Sequence, residues 1–209
     1  NKIAHAAGRK VFSGVIEHEL SQISKDRQGA YEKILDTAEK YMNDFNLGID
    51  WEYLRRVTLN PEYTLNRYVS SMVDELHPNV LKTTLLNLGY EAFYHGTKTI
   101  REMRKVHNCN IPWIILMDPT SACNLHCTGC WAAEYGNKLN LTFEEMDSVI
   151  TQSKELGVYF YMLTGGEPMV RKKDVIALCK KHNDCVFFAY TNGTLVDEEL
   201  CHQMQEVGN

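Results

Sequence analysis

From residue 111 onward, short apolar runs alternate with amphipathic segments, and this alternation is the strongest constraint on the fold. The apolar runs have strand length, whereas the segments between them show the i, i+3, i+4 spacing of helices. Strands that are joined by helical crossovers run parallel, so the pattern predicts a parallel sheet in an α/β fold. The predicted strands cover residues 113–117, 158–163 and 186–190.

Helix start and stop residues flank the helical segments of this part of the chain. Thr142 and Glu145 have the spacing of a capping box, which predicts a helix that ends at Gly157. A second helix is predicted over residues 172–182, and a third begins at about Asp197. Each predicted helix follows a strand, so the predicted order is βαβαβα.

The first part of the chain shows helical periodicity without strand patterns. Residues 30–45 form an amphipathic stretch, and Asn60 followed by Pro61 predicts a helix start. His77 and Pro78 predict the start of the next helix in the same way. We therefore expect an all-α N-terminal region over residues 1–108 and a βα region over residues 109–209.

The last predicted helix of this N-terminal region carries a basic face. A solvated helix surface explains such a face, and so does a site for an anionic substrate or a membrane surface. The sequence leaves both interpretations open. The basic side chains are Lys98, Arg101, Arg104 and Lys105.

Composition excludes some classes of function. The net charge is −5 over 209 residues, which argues against a nucleic-acid partner because such proteins are strongly basic. No apolar run approaches the roughly 18 residues of a membrane span, so no transmembrane segment is expected. The chain has 7 cysteines, an odd number with a cluster, which fits metal binding in a reducing cytoplasm better than disulfides.

The clustered cysteines are Cys123, Cys127 and Cys130, in the pattern CxxxCxxC directly after the first predicted strand. Thiolates are soft ligands that suit iron–sulfur clusters, zinc and copper(I). Three thiolates are one ligand fewer than a closed structural zinc site needs. On spacing alone, an iron–sulfur site and a zinc-binding structural or interaction module without catalysis both stay open.

Two further polar segments follow the second and third predicted strands. Residues 165–168 read Gly-Gly-Glu-Pro, and residues 191–193 read Thr-Asn-Gly. Each segment, taken alone, is also typical of an ordinary turn. Ligands of parallel α/β folds bind at the carboxyl ends of the strands, where these segments and the cysteines are expected to meet.

The chain over about residues 111–209 resembles the radical S-adenosylmethionine (SAM) enzymes. The resemblance rests on two motifs, CxxxCxxC after one strand and GGEP after the next. The resemblance implies that the three cysteines hold a 4Fe–4S cluster, whose fourth iron is chelated by SAM. It implies a partial (β/α) barrel with more βα units than the three found here, so the chain is expected to be a truncated part of that barrel. The residues expected to bind SAM are Gly165, Gly166, Glu167, Pro168, Thr191 and Asn192.

One position departs from the family pattern. Many members have an aromatic residue just before the last cysteine, near the adenine of SAM, whereas Gly129 occupies that position here. Trp131 follows the last cysteine instead, and it is a candidate for the missing aromatic contact.

The resemblance also implies an activity. The reduced cluster cleaves SAM to methionine and a 5′-deoxyadenosyl radical, which abstracts hydrogen from an unidentified substrate. Small molecules, lipids and peptides are all substrates within the family. The electron is expected from a donor such as flavodoxin or ferredoxin, and no side chain of this chain is assigned as a general acid or base.

Overall fold

The structure is a computed structural model that describes residues 2–45, 48–132, 136 and 138–209. Three parallel strands form one sheet in the order β1-β2-β3. They are β1 (Ile114–Thr120), β2 (Phe160–Gly165) and β3 (Val186–Ala189). The predicted parallel α/β arrangement is thus confirmed, although β1 and β2 each begin and end later than predicted.

Helices precede, connect and follow the strands. Those before the sheet are α1 (Lys2–Gln22), α2 (Arg27–Met42), α3 (Trp51–Leu59), α4 (Thr64–Glu75), α5 (Pro78–Leu86), a π-helix (Asn87–Gly96) and α6 (Thr97–His107). Those after β1 are α7 (Phe143–Glu155), α8 (Lys172–Lys181) and α9 (Glu198–Val207). Short 3₁₀ turns cover Asn43–Phe45 and Pro168–Arg171.

The helices of the βα region begin at the predicted caps. The Thr142 hydroxyl accepts from the Glu145 N–H at 3.1 Å, and the Glu145 carboxylate accepts from the Thr142 N–H at 2.7 Å. The Asp197 carboxylate accepts from the Leu200 N–H at 2.8 Å at the start of α9. Such bonds satisfy backbone donors that have no partner within the helix, which fixes where each helix starts.

The predicted helix start at Asn60 and Pro61 is wrong, since α4 begins at Thr64. The Asn60 side chain accepts from the Glu62 N–H at 3.0 Å, so it closes a local turn instead of capping a helix. His77 and Pro78 do start α5, with His77 as its N-cap.

The two faces of the sheet differ in exposure. Tyr161 and Leu163 are fully buried under the helices of the βα region, in a cluster that also contains Met146 and Leu178. On the other face Leu116, Met162 and Phe188 are neighbours in one row of the sheet. Leu116 is 56% exposed and Phe188 is 50% exposed, so this second face presents apolar side chains at the surface of the described chain.

The helical region lies against the amino edge of the sheet. Asn87 is fully buried, and its amide donates to the carbonyls of Asn183 and Cys185, which immediately precede β3. A side chain on Gly96 would come within 2.5 Å of the Gly157 carbonyl oxygen, in the turn before β2. The contact therefore requires glycine, and it places the helical region opposite the carboxyl edge, where β1 leads into the cysteines.

Buried apolar contacts cross the predicted division at residue 108. Ala92 and Ile100 belong to the same buried cluster as the sheet residues. The Trp113 indole N–H, just before β1, donates to the Ala92 carbonyl at 3.1 Å. The two regions thus share part of one core, and a domain boundary at residue 108 stays a prediction.

Two cations of the predicted basic face are engaged within the chain. The Arg101 guanidinium donates to the Phe45 carbonyl and lies over the Phe45 ring. Arg104 donates to the Ile111 carbonyl at 3.0 Å.

No helix in the described part of the chain is long and apolar enough to cross a bilayer.

Candidate cofactor site at the carboxyl edge of the sheet

The cysteine segment leaves the end of β1 and is closed at its base by backbone pairing. The Ser121 N–H donates to the Leu139 carbonyl at 2.8 Å, and the Leu141 N–H donates to the Pro119 carbonyl at 3.1 Å. Residues 139–141 therefore return antiparallel along the end of β1. We call residues 121–130 the cysteine loop.

The GGEP segment is bonded directly to the start of the cysteine loop. The Gly166 N–H donates to the Thr120 carbonyl at 2.9 Å, and the Glu167 N–H donates to the Ala122 carbonyl at 2.8 Å. Gly165 has φ +100°, and a side chain on Gly166 would come within 2.2 Å of the Ala122 oxygen. Both glycines are needed for this approach, because a Cβ at either position would push the two segments apart.

Glu167 is buried and joins the GGEP segment to the segment after β3. It is only 1% exposed, and its Oε1 accepts from the Met169 N–H at 2.9 Å and from the Thr191 hydroxyl at 2.6 Å. Its Oε2 accepts from the Asn192 N–H at 2.7 Å. The resemblance implied Glu167 as a SAM-binding residue. In the structure both of its oxygens accept hydrogen bonds from the chain itself.

The segment after β3, residues 191–194, also contacts the cysteine loop. The Asn192 amide donates to Asn124 Oδ1 at 3.0 Å, and the Asn124 amide donates to Thr194 Oγ1 at 2.7 Å. Asn192 Nδ2 lies 4.0 Å from Cys123 Sγ. We call residues 191–194 the third loop. The three segments that the sequence placed at strand ends are thus in mutual contact.

The three motif cysteines open into a common cavity. Cys123, Cys127 and Cys130 line a space of about 170 Å³, and Gly166 lines it too. All three are free thiols; Cys127 is exposed and the other two are half-buried. His126 lines the same cavity.

The donor set of this cavity suits an iron–sulfur cluster, because soft thiolates are its ordinary protein ligands. Within the described ranges, no three His, Cys, Asp or Glu side chains converge on a point that could hold one metal ion. A 4Fe–4S cluster takes each thiolate on a different iron, so its cysteines need to share a cavity, not a point.

A larger cavity of about 530 Å³ adjoins the cysteine cavity, with Ser121 and Ala132 lining both. Trp131 lines the larger cavity and is 59% exposed. Gly165 and Asp118 also line it. Sequence reasoning missed Asp118, although its position at the carboxyl end of an apolar strand, just before the cysteines, was a usable signal.

The four cysteines outside the motif lie elsewhere. Cys179 and Cys185 are buried in the core, and burial raises the pKa of the Cys179 thiol to about 12. Burial likewise raises the pKa of the Cys185 thiol. These two cysteines therefore stay protonated and act as small apolar residues. Cys109 and Cys201 are exposed.

Comparison with known proteins assigns the region that carries these segments. The family model of the radical SAM superfamily matches residues 117–209. This part of the chain is thus similar to the radical SAM superfamily. Members of the superfamily generally bind a 4Fe–4S cluster and SAM. The three-stranded parallel sheet with preceding helices agrees with a partial β/α fold of radical SAM type.

Curated relatives are similar to part of the chain. Fe-coproporphyrin III synthase of Methanosarcina barkeri (strain Fusaro / DSM 804) is 31% identical over 100 residues, which are 46% of this chain and 25% of the relative. AdoMet-dependent heme synthase of the same organism is 32% identical over 104 residues, or 47% and 29%. GTP 3′,8-cyclase of Tolumonas auensis (strain DSM 9187 / NBRC 110442 / TA 4) is 45% identical over 56 residues, or 25% and 17%.

The matched part of the chain spans less than a third of the length of each of these curated relatives. No solved structure matches the chain.

Proposed function

We propose that this chain carries the cluster-binding and SAM-binding segments of a radical SAM enzyme. The observation that supports this most is the cavity shared by the three motif cysteines and Gly166. When bound, a 4Fe–4S cluster would supply the electron for reductive cleavage of SAM, and so a 5′-deoxyadenosyl radical for hydrogen abstraction from the substrate. The residues of this chain hold the reactants and keep them in position.

The cluster would be held by the three motif cysteines, each of which would ligate one iron; they are Cys123, Cys127 and Cys130. Gly165 and Gly166 allow the backbone of the GGEP segment to come close to the bound ligand. Pro168 begins the 3₁₀ turn that follows and so sets the direction in which the chain leaves the site. The GGEP segment and the cysteine loop are joined by backbone hydrogen bonds, which supports a joint role in holding cluster and SAM.

The other predicted SAM residues would act in different ways. Trp131 offers an exposed ring in the larger cavity, where it could stack on a flat base. The Thr191 hydroxyl donates a hydrogen bond to Glu167, and the Asn192 side-chain amide donates one to Asn124. We therefore assign Glu167 and Thr191 to holding the site together, with any contact to SAM made through the backbone of these loops.

The substrate is proposed only as a class that the relatives suggest. Two relatives are named for heme or coproporphyrin chemistry and a third for a reaction of GTP. The apolar row of Leu116, Met162 and Phe188, whose two outer members are exposed, would suit a large apolar substrate such as a tetrapyrrole better than a nucleotide. An external one-electron donor such as flavodoxin or ferredoxin would serve either reaction.

Anaerobic reconstitution tests the proposal. Wild-type protein supplied with iron and sulfide is expected to turn brown and, with SAM and dithionite, to release 5′-deoxyadenosine. Cys127→Ala is expected to lose both properties. Cys201→Ala is the matched control, because Cys201 is an exposed cysteine outside the motif, and it is expected to behave as wild type.

Other results would contradict the proposal. Colourless protein with stoichiometric zinc would favour the zinc-binding module. A brown protein that does not cleave SAM would indicate a relative that keeps the cluster without the catalysis.

A further inference from the structure

The contact between the third loop and Cys123 suggests a role for Asn192 beyond SAM binding. Asn192 Nδ2 lies 4.0 Å from Cys123 Sγ, and the Leu125 backbone N–H donates to the same sulfur at 3.4 Å. Hydrogen bonds to the ligand sulfurs are one of the means by which proteins set the reduction potential of an iron–sulfur cluster. N–H groups from two loops are thus directed at the sulfur of Cys123, which is a proposed cluster ligand.

The orientation of the Asn192 amide is fixed from its oxygen end. Asn192 Oδ1 accepts from the Thr194 N–H at 3.0 Å and from the Thr194 hydroxyl at 2.7 Å. A backbone N–H can only donate, so the atom that faces it is the amide oxygen. The amide nitrogen is therefore the end that faces the cysteine loop, where it also donates to Asn124.

The backbone of Asn192 is held independently of its side chain. Its N–H donates to Glu167 Oε2, and the hydroxyl of the preceding Thr191 donates to Glu167 Oε1. A change of the Asn192 side chain removes the donor near the sulfur, whereas the attachment of the third loop to Glu167 does not depend on that side chain.

We propose that Asn192 is a positioning residue that raises the reduction potential of the cluster through its amide N–H near Cys123. The inference rests on the proposed function, since it requires a cluster on this cysteine. An electron from an external reductant adds negative charge that the cluster shares with its ligand sulfurs. A donor at Cys123 stabilises that charge, so it favours the reduced form. Glu167 of the GGEP segment holds the third loop and so positions the Asn192 amide, which makes the cluster easier to reduce.

The test is an anaerobic redox titration of the reconstituted protein without SAM, followed by the electron paramagnetic resonance signal of the reduced cluster. Asn192→Ala is expected to bind as much iron and sulfide as wild type and to have a more negative midpoint potential. Asn192→Asp is a second variant that keeps the size and the acceptor oxygen but has no N–H, and its potential is expected to shift in the same direction.

Asn124→Ala is the matched control. It removes the loop partner of the same amide but leaves the amide N–H available to the sulfur, so its potential is expected to be no more negative than that of wild type. An equal negative shift in Asn124→Ala and Asn192→Ala would overturn the inference, because both side chains would then only hold the loops together.

An unchanged potential in both Asn192 variants, with a normal wild-type cluster, would overturn this inference alone. A wild-type protein that takes up no iron and sulfide would overturn the proposed function together with it.

Discussion

Glu167 shows how a single buried side chain determines the geometry of the site. Its carboxylate accepts three hydrogen bonds, one from the 3₁₀ turn that follows it and two from the third loop. A buried carboxylate is stable only when its oxygens are paired, and here the chain supplies the partners. The residue therefore links the loops that follow β2 and β3, which would otherwise be separate surface turns.

Replacing Glu167 by Gln is expected to destabilise the protein by about 1–3 kcal/mol, because the Gln amide cannot accept from both the Asn192 N–H and the third-loop hydroxyl. The NH₂ group of the introduced Gln would then face a donor of the third loop in place of a carboxylate oxygen. The third loop should therefore separate from the GGEP segment. Urea unfolding followed by circular dichroism measures the loss, and iron content after reconstitution reports the site. Glu155→Gln makes the same chemical change on an exposed side chain and should leave both unchanged. Wild-type stability in Glu167→Gln would contradict the assigned role.

At the scale of elements, β1 to β3 and the helices between them were predictable because each depends on a local pattern. The capping box at Thr142 and the cap at Asp197 are encoded within four residues of the helix that they start. The partners of Glu167 were not predictable, since Thr191 and Asn192 lie 24 and 25 residues along the chain and meet it only through the sheet. The predicted helix start at Asn60 was wrong because an Asn side-chain oxygen accepts a backbone N–H both in an N-cap and in a turn.

The π-helix is another element that the sequence did not reveal. The Ala92 carbonyl accepts from the Trp113 indole at 3.1 Å, so a side chain from outside the helix competes for a backbone acceptor. Insertions of this kind widen a helix locally. The fully buried Glu91 in the same turns is paired with Arg9 at 2.5 Å and His5 at 2.8 Å, which ties α1 to the π-helix. Such pairings depend on contacts between elements, not on periodicity.

His95 in the π-helix should make stability depend on pH. Burial, with smaller effects of His5 and Lys98, lowers its pKa from 6.5 to about 4. Between these values the unfolded chain binds a proton at this residue and the folded chain does not, so stability falls as the pH falls from about 6.5 toward 4. His182, whose pKa burial also lowers, acts in the same direction.

His95→Gln should remove part of this pH dependence. The expected result is a smaller decrease of the urea midpoint between pH 7 and pH 5 than in wild type. His202→Gln is the control, since His202 is exposed on α9 and should leave the pH dependence as it is. An equal decrease in wild type and His95→Gln would show that this imidazole is not the group concerned.

For the whole molecule, the relevant arrangement is that the helical region and the candidate site occupy opposite edges of one sheet. The sequence predicted this helical region over residues 1–108. Its contacts with Gly157, Cys185 and Trp113 place it where the strands begin, whereas the cysteine loop lies where the strands end. In parallel α/β folds the amino edge serves stability and the carboxyl edge serves chemistry.

Asn87→Ala tests this separation of roles. Asn87 is fully buried, donates to the Asn183 and Cys185 carbonyls at 2.9 Å and accepts from Arg9 at 2.9 Å. Its loss should cost about 2 kcal/mol, because buried polar groups lose their partners, and should lower the melting temperature by about 4–8 °C. Below that temperature the variant should still bind wild-type amounts of iron and sulfide, since the cysteine loop is at the other edge.

The control is Asn183→Ala, which changes an exposed side chain and keeps the backbone carbonyl that Asn87 contacts. It should match wild type in melting temperature and in iron content. A loss of iron binding in Asn87→Ala at temperatures where it is folded would mean that the two edges are coupled. The helical region would then influence the site through β3, whose amino end Asn87 holds and whose carboxyl end leads into the third loop.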